Sequence, residues 1–207
     1  MPRIVDHDQR RAELAAAVWK IVAEEGVAAL TVRRVGDVAG WSGGAVQYYF
    51  PTKTALLKHA FDLVAAKTAA RFAEVAESST PETMLRDTIM ALLPTTPQIS
   101  AESEIWFAFL GLALGDPALR ASAEKGHGDI VLALRKRVAA AQEAGVIDTR
   151  HDVDDVTVGL LALCDGICVQ ELYRPWDLSV ARIERIVDER FAELAPAHRR
   201  SEPVHAN

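Results

Sequence analysis

The stretch "SGGAVQYYFPTK", Ser42 to Lys53, opens a short helical segment on two glycines and closes it on a Phe-Pro step. Each glycine weakens a helix by roughly 1 kcal/mol relative to alanine, so tertiary packing or an external partner has to compensate. The preceding segment, "TVRRVGDVAG", is equally short. Thr31 is placed to cap its N-terminus, Val32, Val35 and Ala39 form one apolar stripe, and Gly40 ends it. Ser42 then caps the glycine-led segment, and Pro51 forces it to stop at Phe50 by disfavouring the α conformation there. Upstream, "RAELAAAVWKIVAEEG" sets Leu14, Val18, Ile21 and Val22 at helical spacing and stops at Gly26. Three helices, the last two joined by "AGWSG", are the expected start of the fold.

The rest of the chain also reads as helix. Alanine is abundant and no segment alternates as a strand would. Thr52 is placed to cap a long fourth helix to about residue 77. Further helices are expected over about 81–93, 101–114, 117–144, 154–173 and 179–194, with breaks at "PTTPQIS" and "GVIDTRHDV". There is no internal repeat. The expected division is a three-helix segment 1–52, a helical body 53–195 and a disordered tail 196–207. Half the residues are apolar and a quarter charged, as in an ordinary globular protein. Two cysteines exclude a disulfide scaffold. No apolar run is expected to reach membrane-spanning length, and "MPRIVDHDQRR" lacks a secretory apolar core, so a cytoplasmic protein without a membrane partner is expected.

A net charge of −6 argues against nucleic-acid binding until its distribution is read. Residues 1–55 hold seven Lys/Arg against six Asp/Glu, and the remainder holds 16 against 23. A mildly basic head on an acidic body fits this. Two short helices joined by a tight turn describe a helix-turn-helix, whose second helix enters the major groove. Small residues at Gly43, Gly44 and Ala45 let that helix approach bases and phosphates closely. Tyr48, Tyr49 and Lys53 can donate to phosphate oxygens and set register. Gln47 is the one long polar side chain on the reading face, suited to adenine. Val46 and Phe50 lie one turn apart and should face inward.

The string "GVAALTVRRVGDVAGWSGGAVQYYFPTKTALL" resembles the N-terminal region of the TetR family of transcriptional repressors. The pattern falls on Gly26, Thr31, Val35, Ala39, Gly40, Ser42, Gly44, Tyr48, Tyr49, Phe50, Lys53 and Leu56. Three positions depart: Trp41 stands for a small aliphatic, Gln47 for the commoner Tyr and Gly36 for the usual Ala. The resemblance implies DNA contacts at Thr31, Arg33, Ser42, Gly43, Gly44, Ala45, Gln47, Tyr48, Tyr49 and Lys53. "LLALCDGICVQELYRP" and "AFLGLALGDPALRA" resemble the subgroup with a betaine-repressor-like C-terminal domain. That implies an all-α fold, a three-helix DNA-binding domain followed by a helical-bundle ligand-binding and dimerisation domain, and a homodimer.

Several other groups invite chemistry. Cys164 and Cys168 lie one helical turn apart, as a metal or redox pair could, but buried packing is the favoured reading. "HDVDD" gathers His151, Asp152, Asp154 and Asp155, yet His7, His59 and His127 stand at no ligand spacing, so capping of a helix N-terminus is favoured over a metal-dependent hydrolase. "EKGHGDI" is either a kink with His127 in a pocket or a surface bend with a solvated His. Trp106, Phe107 and Phe109 form core or line an apolar effector pocket. Asp165 and Gln170 either satisfy one another or backbone, or fix a ligand. Apolar stripes at Val158, Leu161, Cys164, Ile167 and Cys168, and at Val180, Ile183, Ile186 or Val187, and Phe191, are expected to meet a second subunit. The expected whole is a regulator, with no cofactor or metal, that a small molecule releases from a palindromic double-stranded operator. An activator of the same fold and a helical hydrolase are the alternatives.

Overall fold

The computed structural model describes residues 7–173 and 178–197; the expectation of disorder for 198–207 lies outside them. Among the described residues there are nine α-helices and no strand, as expected. In chain order they are α1 (His7–Glu25), α2 (Val32–Ala39), α3 (Gly43–Tyr49), α4 (Lys53–Ser78), α5 (Met84–Met90), α6 (Pro97–Gly115), α7 (Pro117–Glu143), α8 (Val153–Tyr173) and α9 (Val180–Leu194). A single 3-10 turn, Val27–Ala29, stands between α1 and α2.

The caps explain most boundaries. Thr31 Oγ1 accepts from the Arg34 amide, Ser42 Oγ from that of Ala45, and Thr52 Oγ1 from that of Ala55. Each satisfies one of the amides that a helix start leaves without an acceptor. Gly40 takes the left-handed conformation that ends α2, at φ 71°. Two starts differ from the expected ones. Thr96 caps α6 four residues early, with Pro97 in its first turn, while residues 81–83 form only a turn before α5. The glycines at 126 and 128 do not interrupt α7.

The chain forms two compact units. The first holds the chain up to Lys67 together with Thr96–Glu124, and the second holds Thr68–Thr95 with the chain from Lys125 onward. Compactness therefore does not change at residue 52. In the first unit α6 shares one core with α1, α2 and α3: Leu14, Val18, Ile21, Val35, Val46, Ile105 and Phe109 are buried together. Phe61 of α4 stacks on Trp106 and Phe109, with ring centroids 4.9 and 4.1 Å apart. Burying each such side chain contributes roughly 1.5–3 kcal/mol, which offsets the cost of two glycines opening α3.

The core of the second unit gathers Leu85 and Ile89 of α5, Leu134 and Val138 of α7, Leu160 and Cys164 of α8, and Ile183 and Val187 of α9. Helix α8 corrects one expectation: it is long and apolar enough to cross a membrane by length and composition alone. Its apolar residues Val156, Leu160, Leu161 and Ile167 are instead packed in this core.

Candidate nucleic-acid interface

Helices α2 and α3 are locked by a close approach at their turn. The Trp41 amide donates to the Gly36 carbonyl at 2.8 Å, and a Cβ on Gly36 would lie 2.9 Å from the Trp41 carbonyl oxygen. The glycine at position 36 and the tryptophan at 41, two departures noted in the sequence, thus belong to one joint. Val35 and Val46 are buried beneath it.

On the outer side of α3, Gly43, Gly44, Gln47 and Tyr48 are all exposed. Their 43/47 and 44/48 spacing puts them on one face. Tyr48 is 79% exposed, unusual for so large a ring. No atom lies within 4 Å of where a Cβ on Gly43 or Gly44 would sit, so that end of α3 is open. Tyr49 differs from its neighbour. It is half-buried and meets the rings of Trp41 and Tyr48 edge-on, at 5.8 and 5.3 Å. Ala45 is half-buried, and Thr31 and Ser42 use their hydroxyl oxygens in capping. Arg33 is exposed at the start of α2. Lys53 is exposed too, with Nζ 3.4 Å from the Ala28 carbonyl oxygen. Arg34 is already engaged: it donates from Nε and Nη2 to the Glu25 carboxylate. These bonds hold Glu25 below its usual carboxylate range.

The other candidates fall on the two units separately. Phe109 is fully buried and Trp106 stacks on Phe61, so both serve the core of the first unit; Phe107 is half-buried there. His127, Asp165 and Gln170 belong to the second unit. His127 is exposed on α7. Desolvation raises the Asp165 carboxyl pKa, while the charge of nearby His127 opposes the shift. Asp152 caps α8, accepting from the amides of Asp154 and Asp155 at 2.8 and 3.0 Å, and Asp154 pairs with Arg135. Among the described residues no three His, Cys, Asp or Glu gather to hold a metal. Cys164 and Cys168 are buried, and burial, with Cys168 and Asp165 adding, pushes the Cys164 thiol well up. A thiol held protonated is a poor nucleophile and a poor ligand.

The stripe expected to meet a second subunit needs correction. Leu161, Cys164, Ile167, Cys168, Ile183 and Val187 are all buried within one chain. Periodicity identifies a face that is covered but not what covers it, and here α8 and α9 cover each other together with α5 and α7. Of those stripes, the face left open keeps Val158 and Ile186. Val158 is 65% exposed, and Ala162, Leu163, Gly166, Gln170, Leu178 and Ile186, with Arg182, line a shallow groove of about 440 Å³ that Ile167 also edges.

A helix-turn-helix with an open, glycine-led second helix, carried on an all-helical body, defines a DNA-binding regulator. The comparisons agree. Residues 14–60 match the model of bacterial regulatory proteins of the tetR family. Residues 81–196 match that of the BetI-type transcriptional repressor, C-terminal. The chain is 29% identical over 188 residues to the HTH-type transcriptional regulator PksA of Bacillus subtilis, covering 90% of each chain. It is 30% identical to the regulator BetI of Burkholderia mallei over 177 residues, 81% of this chain and 84% of that one. A transcriptional regulator from Rhodococcus sp. Rha1 shares the fold with a TM-score of 0.74 at 28% identity, covering 89% of this chain and 95% of that one. A regulator from Saccharomonospora viridis, solved in complex with choline, superposes with a TM-score of 0.79 at 20% identity, over 88% and 95%. The chain belongs to the TetR family, with a BetI-type C-terminal domain. It is a DNA-binding transcriptional regulator and not an enzyme.

Proposed function

We propose that this chain binds a palindromic operator as a cytoplasmic homodimer, represses from it, and is released by a small-molecule effector. The observation that carries the reading is the outer face of α3, where Gln47 and the 79%-exposed Tyr48 stand beside two open glycines. Gln47 reads a base edge, with adenine the natural partner. Tyr48, Tyr49 and Lys53 donate to phosphates on either side, with Thr31, Arg33, Ser42 and the amides near Gly43, Gly44 and Ala45 completing the footprint. Tyr49 is oriented for this by its edge-on contacts with the rings of Trp41 and Tyr48.

Two reading heads must sit roughly 34–36 Å apart to meet successive major grooves. The open apolar face of α8 and α9 supports a two-fold contact between subunits. An effector acts by binding the released arrangement more tightly than the DNA-bound one, since only differential affinity shifts an equilibrium.

Operator selected from a random-sequence pool by the full-length protein tests the reading. Tyr48→Ala weakens binding to every sequence with little change in salt dependence, because it removes an uncharged phosphate donor, whereas Lys53→Ala also flattens the salt dependence. Gln47→Ala instead relaxes preference at one or two base pairs, by roughly 1–3 kcal/mol. Wild-type operator binding by Tyr48→Ala in a mobility-shift titration would mean that another face reads the DNA.

A further inference from the structure

We propose that Arg10 of α1, outside the helix-turn-helix, is a further DNA-contacting residue that donates to a backbone phosphate. The proposal rests on the reading of α3 given above. It begins with Trp41, the unusual residue in the turn between α2 and α3. The Arg10 guanidinium lies over the Trp41 ring, 4.5 Å from its centroid. Trp41 in turn meets Tyr49, and Tyr49 meets Tyr48, each edge-on. Arg10, Trp41, Tyr49 and Tyr48 therefore form one continuous strip, and its far end is the exposed ring on the DNA-reading helix.

The way Arg10 is held matters. An aromatic face attracts a guanidinium through the ring's quadrupole and takes up none of its N–H groups. Those donors point outward in the guanidinium plane, in the fork that suits phosphate oxygens. The nearest carboxylate among the described residues, Glu13 one turn along α1, stands 3.8 Å away, beyond hydrogen-bond distance, and both side chains are open to solvent.

Three other cations of the same unit are placed differently. Arg34 makes its hydrogen bonds to Glu25. Lys58 is paired with Asp62 at 2.8 Å. Lys67 also sits on a ring, but that of Trp19, at 3.8 Å, with the buried Glu102 carboxylate 3.8 Å away. Arg10 alone among these four rests on Trp41 in the turn between α2 and α3, and it makes no hydrogen bond to a carboxylate of the described residues.

The test is the salt dependence of operator binding by the full-length protein, on duplex selected from a random pool. Each phosphate neutralised contributes about 0.9 to the slope of log K against log salt. Arg10→Gln lowers that slope by about 0.9 per subunit bound, while Arg10→Lys, which keeps the charge, retains the slope. Trp41→Leu, which frees the arginine from its ring, weakens binding several-fold at low salt. An unchanged slope in Arg10→Gln would overturn the proposal even if affinity fell, because a packing residue changes affinity without changing counterion release. Tyr48→Ala, measured in parallel, separates the two readings. If it weakens binding while Arg10→Gln keeps the wild-type slope, the α3 face stands and Arg10 does not. If Tyr48→Ala binds as wild type and the Arg10→Gln slope falls, Arg10 stands and the α3 face does not.

Discussion

Gly166→Lys leaves the protein folded, converts it to a monomer and lowers operator affinity more than 100-fold. Gly166 is exposed in the groove between α8 and α9, and no atom lies within 4 Å of where its Cβ would be. The single chain therefore accepts the side chain without strain. Replacing a helical glycine by lysine even favours the helix, by up to about 1 kcal/mol. Arg182 lines the same groove, so nothing named there neutralises the new charge. In a two-fold contact the substitution occurs twice and places both ammonium groups in an apolar seam. An uncompensated buried charge costs roughly 3–5 kcal/mol, which is about two to three and a half decades in affinity. Sedimentation velocity, thermal melting and a mobility-shift titration on the same preparation check the three parts. A Gly166→Lys protein still dimeric at micromolar concentration would remove this face from the proposed interface.

Phe109→Ala acts through the other unit. Phe109 is completely buried in α6, against Phe61 of α4 and within the core that also holds Val35 of α2 and Val46 of α3. Truncating a buried phenylalanine costs about 3–5 kcal/mol, part in lost transfer and part in the cavity left behind. A typical domain has only about 5–15 kcal/mol in total. Denaturant titration should show that loss, and DNA binding should fall with it, because the reading helices share the damaged core. Tyr48→Ala is the opposite case. Its ring is outside the core, so its stability should stay within about 0.5 kcal/mol of wild type while binding weakens. A Phe109→Ala protein less than about 1.5 kcal/mol destabilised would show that α6 can collapse onto the space, and that its packing is looser than the stacked rings indicate.

These contrasts mark how far the sequence reaches. Residues whose conformation is decided locally were legible. Thr31, Ser42 and Thr52 are caps because a hydroxyl three residues ahead of a free amide is enough to satisfy it. Gly40 ends α2 because little else tolerates its φ of 71°. Pro51 ends α3 because it acts on the residue just before it. The open face of α3 was legible for the same reason: a seven-residue helix with Val46 inward leaves Gln47 and Tyr48 outward.

What depended on distant residues was not legible. The 3-10 turn at Val27–Ala29 is gripped by Glu104 of α6, whose carboxylate accepts from the Val27 amide at 2.6 Å. No spacing rule connects two residues 77 positions apart. Arg10 and Trp41 meet across 31 positions for the same reason. The dimer stripe is the clearest instance. Helix α8 has apolar residues on nearly every side, so its sequence marks several faces as fit for burial and cannot rank them. Only the packing of α5, α7 and α9 against it decided that Leu161, Cys164 and Ile167 turn into the chain's own core, leaving Val158, Ala162 and Gly166 outside. Periodicity is a property of one helix, whereas burial is a property of whatever surrounds it. The caps and the reading face were therefore written in the chain, and the partner of each apolar face was settled only when the helices met.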